Sequence, residues 1–247
     1  MGITEGIKVE LAEKGILEIN GYGSSNGGVF RSVHVNGRGT VNGDIECGYL
    51  ECNGSGTFKG NIVSKKTRIS GHSTMDGEIS GNELKAEGNA KIKKNVQVEI
   101  LKVSGNGTFG ANVRADSIVI EGRASIAGNC DAEDFYVQGN VKIQGQLNAE
   151  KIAIEPFGHC QIAEIGGQSI SVKYHHHFFL QWLKPFFNHI LTADIIEGDD
   201  IALESTKAKI VRGRNVKIGK GCEIGLVEYS GVFEQEEASQ VKESRKV

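Results

Sequence analysis

Along most of the chain, apolar residues come in pairs two positions apart, and the pairs recur every 17 residues. Val33 and Val35 form one pair, Gly39 and Val41 a second, and Ile45 and Cys47 a third, before Leu50 and Cys52 open the next cycle. Residues two apart on an extended chain face the same side. Each cycle therefore predicts three short strands with these pairs turned inward. The intervening His34, Asn36, Arg38, Asn42, Asp44 and Glu46 are polar and are expected to face water.

The columns hold their chemistry over seven or eight cycles. One runs Val35, Cys52, Ile69, Ala86, Val103, Ile120, Val137, Ile154. Another runs Val41, Phe58, Met75, Ile92, Phe109, Ile126, Ile143. Between them lies a corner column of Gly37, Gly54, Gly71, Gly88, Gly105, Gly122 and Gly139, ending in Pro156. A glycine there can take a positive φ or a bulge without steric cost. Self-similarity at a fixed period is the mark of a solenoid. One coil buries too little to offset the ordering of its own backbone, so neighbouring coils have to share the stabilisation. The prediction is an all-β parallel β-helix, a β-solenoid with about 17 residues and three short strands per coil.

Where the pattern changes, domain boundaries follow. Residues 1–15 are expected to be a flexible arm and residues 16–173 the main β-helix. The step from Ile152 and Ile154 to Ile170 and Val172 is 18, with Pro156 and Phe157 at the corner, which predicts a small insertion there. Residues 174–193 lose the alternation. Phe179, Leu183, Phe186 and Ile190 are spaced for one face of a helix, which Pro185 would kink. Alternation returns over 194–233 in Ile201/Leu203, Ala208/Ile210, Val216/Ile218, Cys222/Ile224 and Val227/Tyr229. Residues 234–247 are charged and aperiodic, which predicts a disordered tail.

Composition narrows the function. Glycine is frequent at 34 residues while proline is rare at 2, which excludes a collagen-like repeat. The net charge of −3 argues against a nucleic-acid partner. The N-terminus lacks the basic-then-apolar pattern of a signal peptide, which together with an odd count of 5 cysteines predicts a reducing, cytoplasmic location.

Candidate chemistry is sparse. There is no GxxxxGK[ST] phosphate loop, and the glycines at 21 and 23 have the wrong spacing for a dinucleotide site. Cys47, Cys52 and Cys130 sit on inward columns, where cysteine acts as a small hydrophobe. His175, His176, His177 and His189 are the one group with metal-ligating potential, but no acidic or thiol partner is fixed nearby in the sequence, and a solvated loop is the simpler reading. The expectation is no catalytic residue, no cofactor and no metal.

The repeat x-[VIL]-x-[VIL]-x-G followed by T-[VFMI]-x-G, as in Gly39-Thr40-Val41-Asn42-Gly43 and Gly56-Thr57-Phe58-Lys59-Gly60, resembles the bactofilins. The resemblance covers residues 16–173 well and 194–231 loosely. It implies a right-handed β-helix with flexible tails, end-to-end filaments formed without nucleotide, and a bacterial cytoskeletal scaffold for cell shape, envelope organisation or motility. It also implies a cytoplasmic protein, peripheral at the inner membrane, whose partners are itself, a paralogous bactofilin or a membrane-associated protein. Two other readings stay open. Asn215–Gly225 resembles the six-residue rule of hexapeptide-repeat acyltransferases, and a solenoid adaptor that does not polymerise would share the same core.

Solenoid ends carry unpaired strand edges, so self-assembly is expected there. The candidates are Ile16, Leu17, Ile19, Val29 and Phe30 at the front and Val227, Tyr229 and Phe233 at the back. Phe178, Phe179, Trp182, Phe186 and Phe187 are the candidates for docking on a partner or a membrane.

Overall fold

A computed structural model describes residues 14–173 and 191–247. The chain divides into two units, Met1–Asp116 and Ser117–Val247, and each is a parallel β-solenoid. No helix occurs among the described residues. Of the aromatic insertion expected over 174–193, residues 174–190, with its histidines and its five docking candidates, lie outside them, as do residues 1–13.

The first unit begins with β1 (Ile16–Ile19) and β2 (Tyr22–Ser25). Each later coil is an eight-residue strand followed by a four-residue strand. These are β3 (Gly28–Val35) and β4 (Arg38–Val41), β5 (Ile45–Cys52) and β6 (Ser55–Phe58), then β7 (Ile62–Ile69) and β8 (His72–Met75). They continue with β9 (Ile79–Ala86) and β10 (Asn89–Ile92), then β11 (Val96–Val103) and β12 (Asn106–Phe109). β13 (Val113–Ile120) leads into the second unit. Two of the three predicted strands are thus one continuous strand. The third corner survives as a break in alternation: in β5 the buried residues are Ile45, Cys47, Leu50 and Cys52, with Gly48 and Tyr49 half-buried between them.

Pairing is strictly in register. Val33 stands beside Leu50, Leu50 beside Thr67, and Thr67 beside Leu84, each one coil apart. The inward columns form the core: Val33, Val35, Val41, Leu50, Phe58, Ile69 and Leu84 are all essentially without solvent exposure. Stacking of like residues on like lets each coil finish burying its neighbour.

The glycine column has a different cause from the one expected. None of Gly37, Gly54, Gly71, Gly88 or Gly105 has a positive φ. Instead, a Cβ on Gly54 would fall on the carbonyl oxygen of Gly37, and one on Gly71 on that of Gly54. The corners stack so closely that no side chain fits between them.

The second unit contains β14 (Arg123–Ile126), β15 (Cys130–Pro156), β16 (Cys160–Val172), β17 (Leu191–Leu203) and β18 (Thr206–Ile218). It closes with β19 (Glu223–Tyr229), β20 (Phe233–Gln235) and β21 (Gln240–Lys246). The step of 18 is present, with Ile152 beside Ile170 and Ile154 beside Val172. Coils then shorten: Ile201 pairs with Val216 and Val211 with Val227. Val211, not Ile210, is the fully buried residue after Ala208.

Two stretches differ from expectation. Leu191–Ala193, assigned to the insertion by the aromatic pattern, already belong to β17 and pair with β18. The charged tail is strand: β20 pairs with β18 and β21 pairs with β19, from Glu223 beside Gln240 to Tyr229 beside Lys246. A strand laid on an existing edge needs backbone partners more than an apolar face, so the lack of hydrophobic period did not prevent it.

Candidate assembly surfaces

Polar columns run along the outside and fix coil to coil. Asn36 donates to the side-chain oxygen of Asn20 at 2.9 Å, and Asn53 to that of Asn36 at 3.1 Å. At another corner, the backbone N–H of Asn61 donates to the Asp44 carboxylate at 2.7 Å. In the next coil the N–H of Glu78 donates to the Asn61 side chain at 2.9 Å, and in the second unit that of Gln146 to Asn129 at 3.1 Å. The sequence had placed Asp44 simply in water. Its recurrence as Asp44, Asn61, Asn95 and Asn129 on the 17-residue step was the available signal.

No group of three or more metal-ligating side chains occurs among the described residues. All five cysteines are buried and unpaired to one another. Burial pushes the Cys47, Cys52 and Cys222 thiols up to about 11, and raises Cys130 and Cys160 as well. A thiol held that high carries almost no thiolate at neutral pH and is a poor nucleophile. An open groove of about 380 Å3 crosses the face of β4, β6, β8, β10 and β12, lined by Thr57, His72, Thr74, Asn89 and Asn106 among others. There Asn106 donates to Asn89 at 2.8 Å, and the Asn89 amide meets His72 Nε2 at 3.0 Å. These groups serve the ladder between coils.

The first strands of the first unit differ in character from the last strands of the second. In the first unit, Leu17 stands beside Val33 and Ile19 beside Val35, so the aliphatic columns reach β1. Ile19 is buried and Leu17 half-buried. Ile16 and Val29 are each 45 % exposed, Tyr22 is 88 % exposed, and Phe30 is half-buried. Among the described residues, β1 and β2 have a neighbour on one side only, β3 and β4.

In the second unit, two candidates lie inside rather than at the edge. Val227 is fully buried, and Tyr229 pairs with Lys246 and stacks on Phe233 at 5.3 Å between ring centroids. The edge is one coil further on, at β20 and β21. An ion ladder leads to it: Glu197, Arg212, Glu228 and Arg245 stand side by side on successive strands. Glu228 is buried and accepts from both Arg212 and Arg245, and Arg245 Nε donates at 2.8 Å. Arg212 first, and Arg245 with it, hold the Glu228 carboxyl below the usual carboxylate range.

Residues 3–97, which include the first coils of this stack, match the family model Bactofilin, described as polymer-forming cytoskeletal. The N-terminal part of the chain is thus similar to a bactofilin domain. Two proteins of Bacillus subtilis (strain 168) are similar to parts of it. The uncharacterized protein YhbF is 44 % identical over 86 residues, 35 % of this chain and 34 % of that protein. The uncharacterized protein YhbE is 50 % identical over 58 residues, 24 % of each. The chain thus spans about a third or less of the length of the curated relatives it matches. No solved structure matches it. From β3 onward the matched residues belong to coils that repeat every 17 residues, with Val33 beside Leu50 and Leu50 beside Thr67.

Proposed function

We propose that this chain is a non-enzymatic, bactofilin-type scaffold subunit that self-associates through the edges of its ladder without nucleotide. The observation that carries the reading is the front edge. There two of the aliphatic columns run out to Leu17 and Ile19, and β1 and β2 have no second neighbour among the described residues. Another copy laid on this edge continues both the backbone hydrogen bonds and the core columns. Such growth repeats what every interior coil already does, and no bound nucleotide enters it. The family description as polymer-forming supports the same reading.

The cellular role we propose is that of a cytoplasmic scaffold for cell shape, envelope organisation or motility. The aromatic residues Phe178, Phe179, Trp182, Phe186 and Phe187 would offer the attachment to a paralogue or a membrane-associated protein.

Phe30→Arg tests the edge. Phe30 lies on the part of β3 that has β5 on one side and no described strand on the other. The variant is expected to keep the far-ultraviolet circular dichroism of the parent and to lose its assembled species. Assembly unchanged in a folded Phe30→Arg protein would place the contact elsewhere.

A further inference from the structure

Asparagine followed by glycine is chemically labile, because no side chain on the glycine shields its nitrogen from the asparagine side-chain carbon. Such pairs start at Asn20, Asn26, Asn36, Asn42, Asn53 and Asn106. Reaction requires a glycine N–H that is not committed to an acceptor, and an asparagine amide free to turn onto it. The ladder denies these conditions to most of the pairs.

Gly37 donates to the Ile19 carbonyl and Gly54 to the Val35 carbonyl, each at 3.0 Å. The amides before them are held as well, Asn36 on Asn20 and Asn53 on Asn36. Gly107 lies within β12 and pairs with Ala90, and Asn106 donates to Asn89. Gly27 donates to Ser25 Oγ at 3.3 Å. The coil preceding Asn20 lies outside the described residues.

Asn42–Gly43 is different. It lies at the corner between β4 and β5, outside both strands. Among the described residues, the Gly43 N–H has no acceptor. Asn42 is exposed, and its amide makes one long contact of 3.4 Å, to the Ser25 carbonyl. The backbone on either side stays anchored, with the Asn42 N–H on the Ser25 carbonyl at 2.8 Å and the Ile45 N–H on the Asn61 carbonyl at 2.9 Å.

We propose that Asn42 is a modification site left open by the fold, where isoaspartate forms spontaneously ahead of the pairs that the ladder holds. The Gly43 nitrogen gives its proton to water and attacks Cγ of Asn42. The N–Cγ bond forms, the Cγ–Nδ2 bond breaks, and Nδ2 takes up a proton and leaves as ammonia. Water then opens the ring at either carbonyl, giving aspartate or isoaspartate. Isoaspartate routes the backbone through the side chain and adds a methylene at a corner that has no slack. A Cβ on Gly43 would already fall on the Asn26 carbonyl oxygen, and one on Gly60 on the Gly43 carbonyl carbon. The product therefore loosens the stack between β4 and β5.

The test ages the folded full chain at neutral and mildly alkaline pH and maps the amide-to-acid mass gain by peptide mass spectrometry. Conversion is expected at Asn42 ahead of Asn26, Asn36, Asn53 and Asn106, and faster at the higher pH. Hydroxylamine, which cuts the ring intermediate, is expected to split the native chain after Asn42. A protein-isoaspartate methyltransferase is expected to label the aged parent and to label aged Asn42→Ser less. The aged parent is expected to melt below the fresh one, a loss that Asn42→Ser avoids. In urea the ranking among the pairs is expected to vanish, because every glycine N–H is then solvated.

Native conversion at Asn36 or Asn53 as fast as at Asn42, labelling unchanged in Asn42→Ser, or a ranking that survives urea would each overturn the site. So would a folded chain that stays unmodified while the chain in urea converts. An aged, converted parent that melts with the fresh one would overturn the loosened corner.

Discussion

A carboxylate at position 84 would have no solvent and no cation to meet. Leu84 is fully buried between Thr67 and Leu101, one coil to each side. Leu84→Asp is expected to abolish soluble folding, because a buried unpaired charge costs several kcal/mol. A cooperative thermal melt near that of the parent would show that the column is not interior. The corner glycines make a paired prediction. Gly54→Ala pushes a methyl group onto the Gly37 carbonyl and is expected to lower Tm sharply, whereas no described atom lies within 4 Å of a Cβ on Gly21. Gly21→Ala is therefore expected to be neutral or stabilising by up to about 1 kcal/mol, through the unfolded chain. Equal Tm changes in the two would refute close stacking as the cause. Glu87 gives a pH dependence. Lys85 and then Arg68 hold its carboxyl down to about 2 from 4.5. A lowered carboxylate pKa contributes stability above 4.5 that fades as pH falls toward 2. Glu87→Gln should therefore be less stable than the parent at pH 7, by under about 1 kcal/mol for a surface-type pair. The gap is expected to close between pH 4.5 and 2, and a constant gap in melts across that range would assign the effect to something other than charge. At this scale the inward columns were readable because burial imposes one chemistry on each. The reason for the glycines was not, since the atom that excludes a side chain belongs to a residue 17 positions away.

The strand that the chain's pattern conceals most is β21. It buries almost nothing, and only Val241 is half-buried along it. Hydrophobic periodicity is a sign of a buried face, and a strand held by backbone pairing and ion pairs has none to show. Glu228 is the residue that ties it down, so Glu228→Ala is expected to speed amide exchange across Gln240–Lys246 and leave β17 unchanged. Exchange raised uniformly through the second unit would mean that Glu228 supports the core instead. The same argument explains Leu191–Ala193, where a single buried leucine beside an aromatic run looked like more of that run. By contrast the 18-residue step near Pro156 was legible, because the apolar pairs on both sides of it kept their spacing.

As a whole molecule, the chain has a repeating ladder, buried inert thiols and polar columns spent on holding coil to coil. Assembly is the function we propose for such a ladder. Of the residues proposed for it from sequence, Ile16, Leu17, Ile19, Val29 and Phe30 fall at the front edge. Val227 and Tyr229 were misplaced because the coil that covers them carries no hydrophobic pattern. The most direct test of the central claim is sedimentation velocity on the purified, nucleotide-free chain over a wide concentration range, repeated with added ATP and GTP. The account predicts a concentration-dependent species larger than the monomer that is the same with and without nucleotide. A monomer at every concentration, or an assembly that appears only when nucleotide is added, would contradict it.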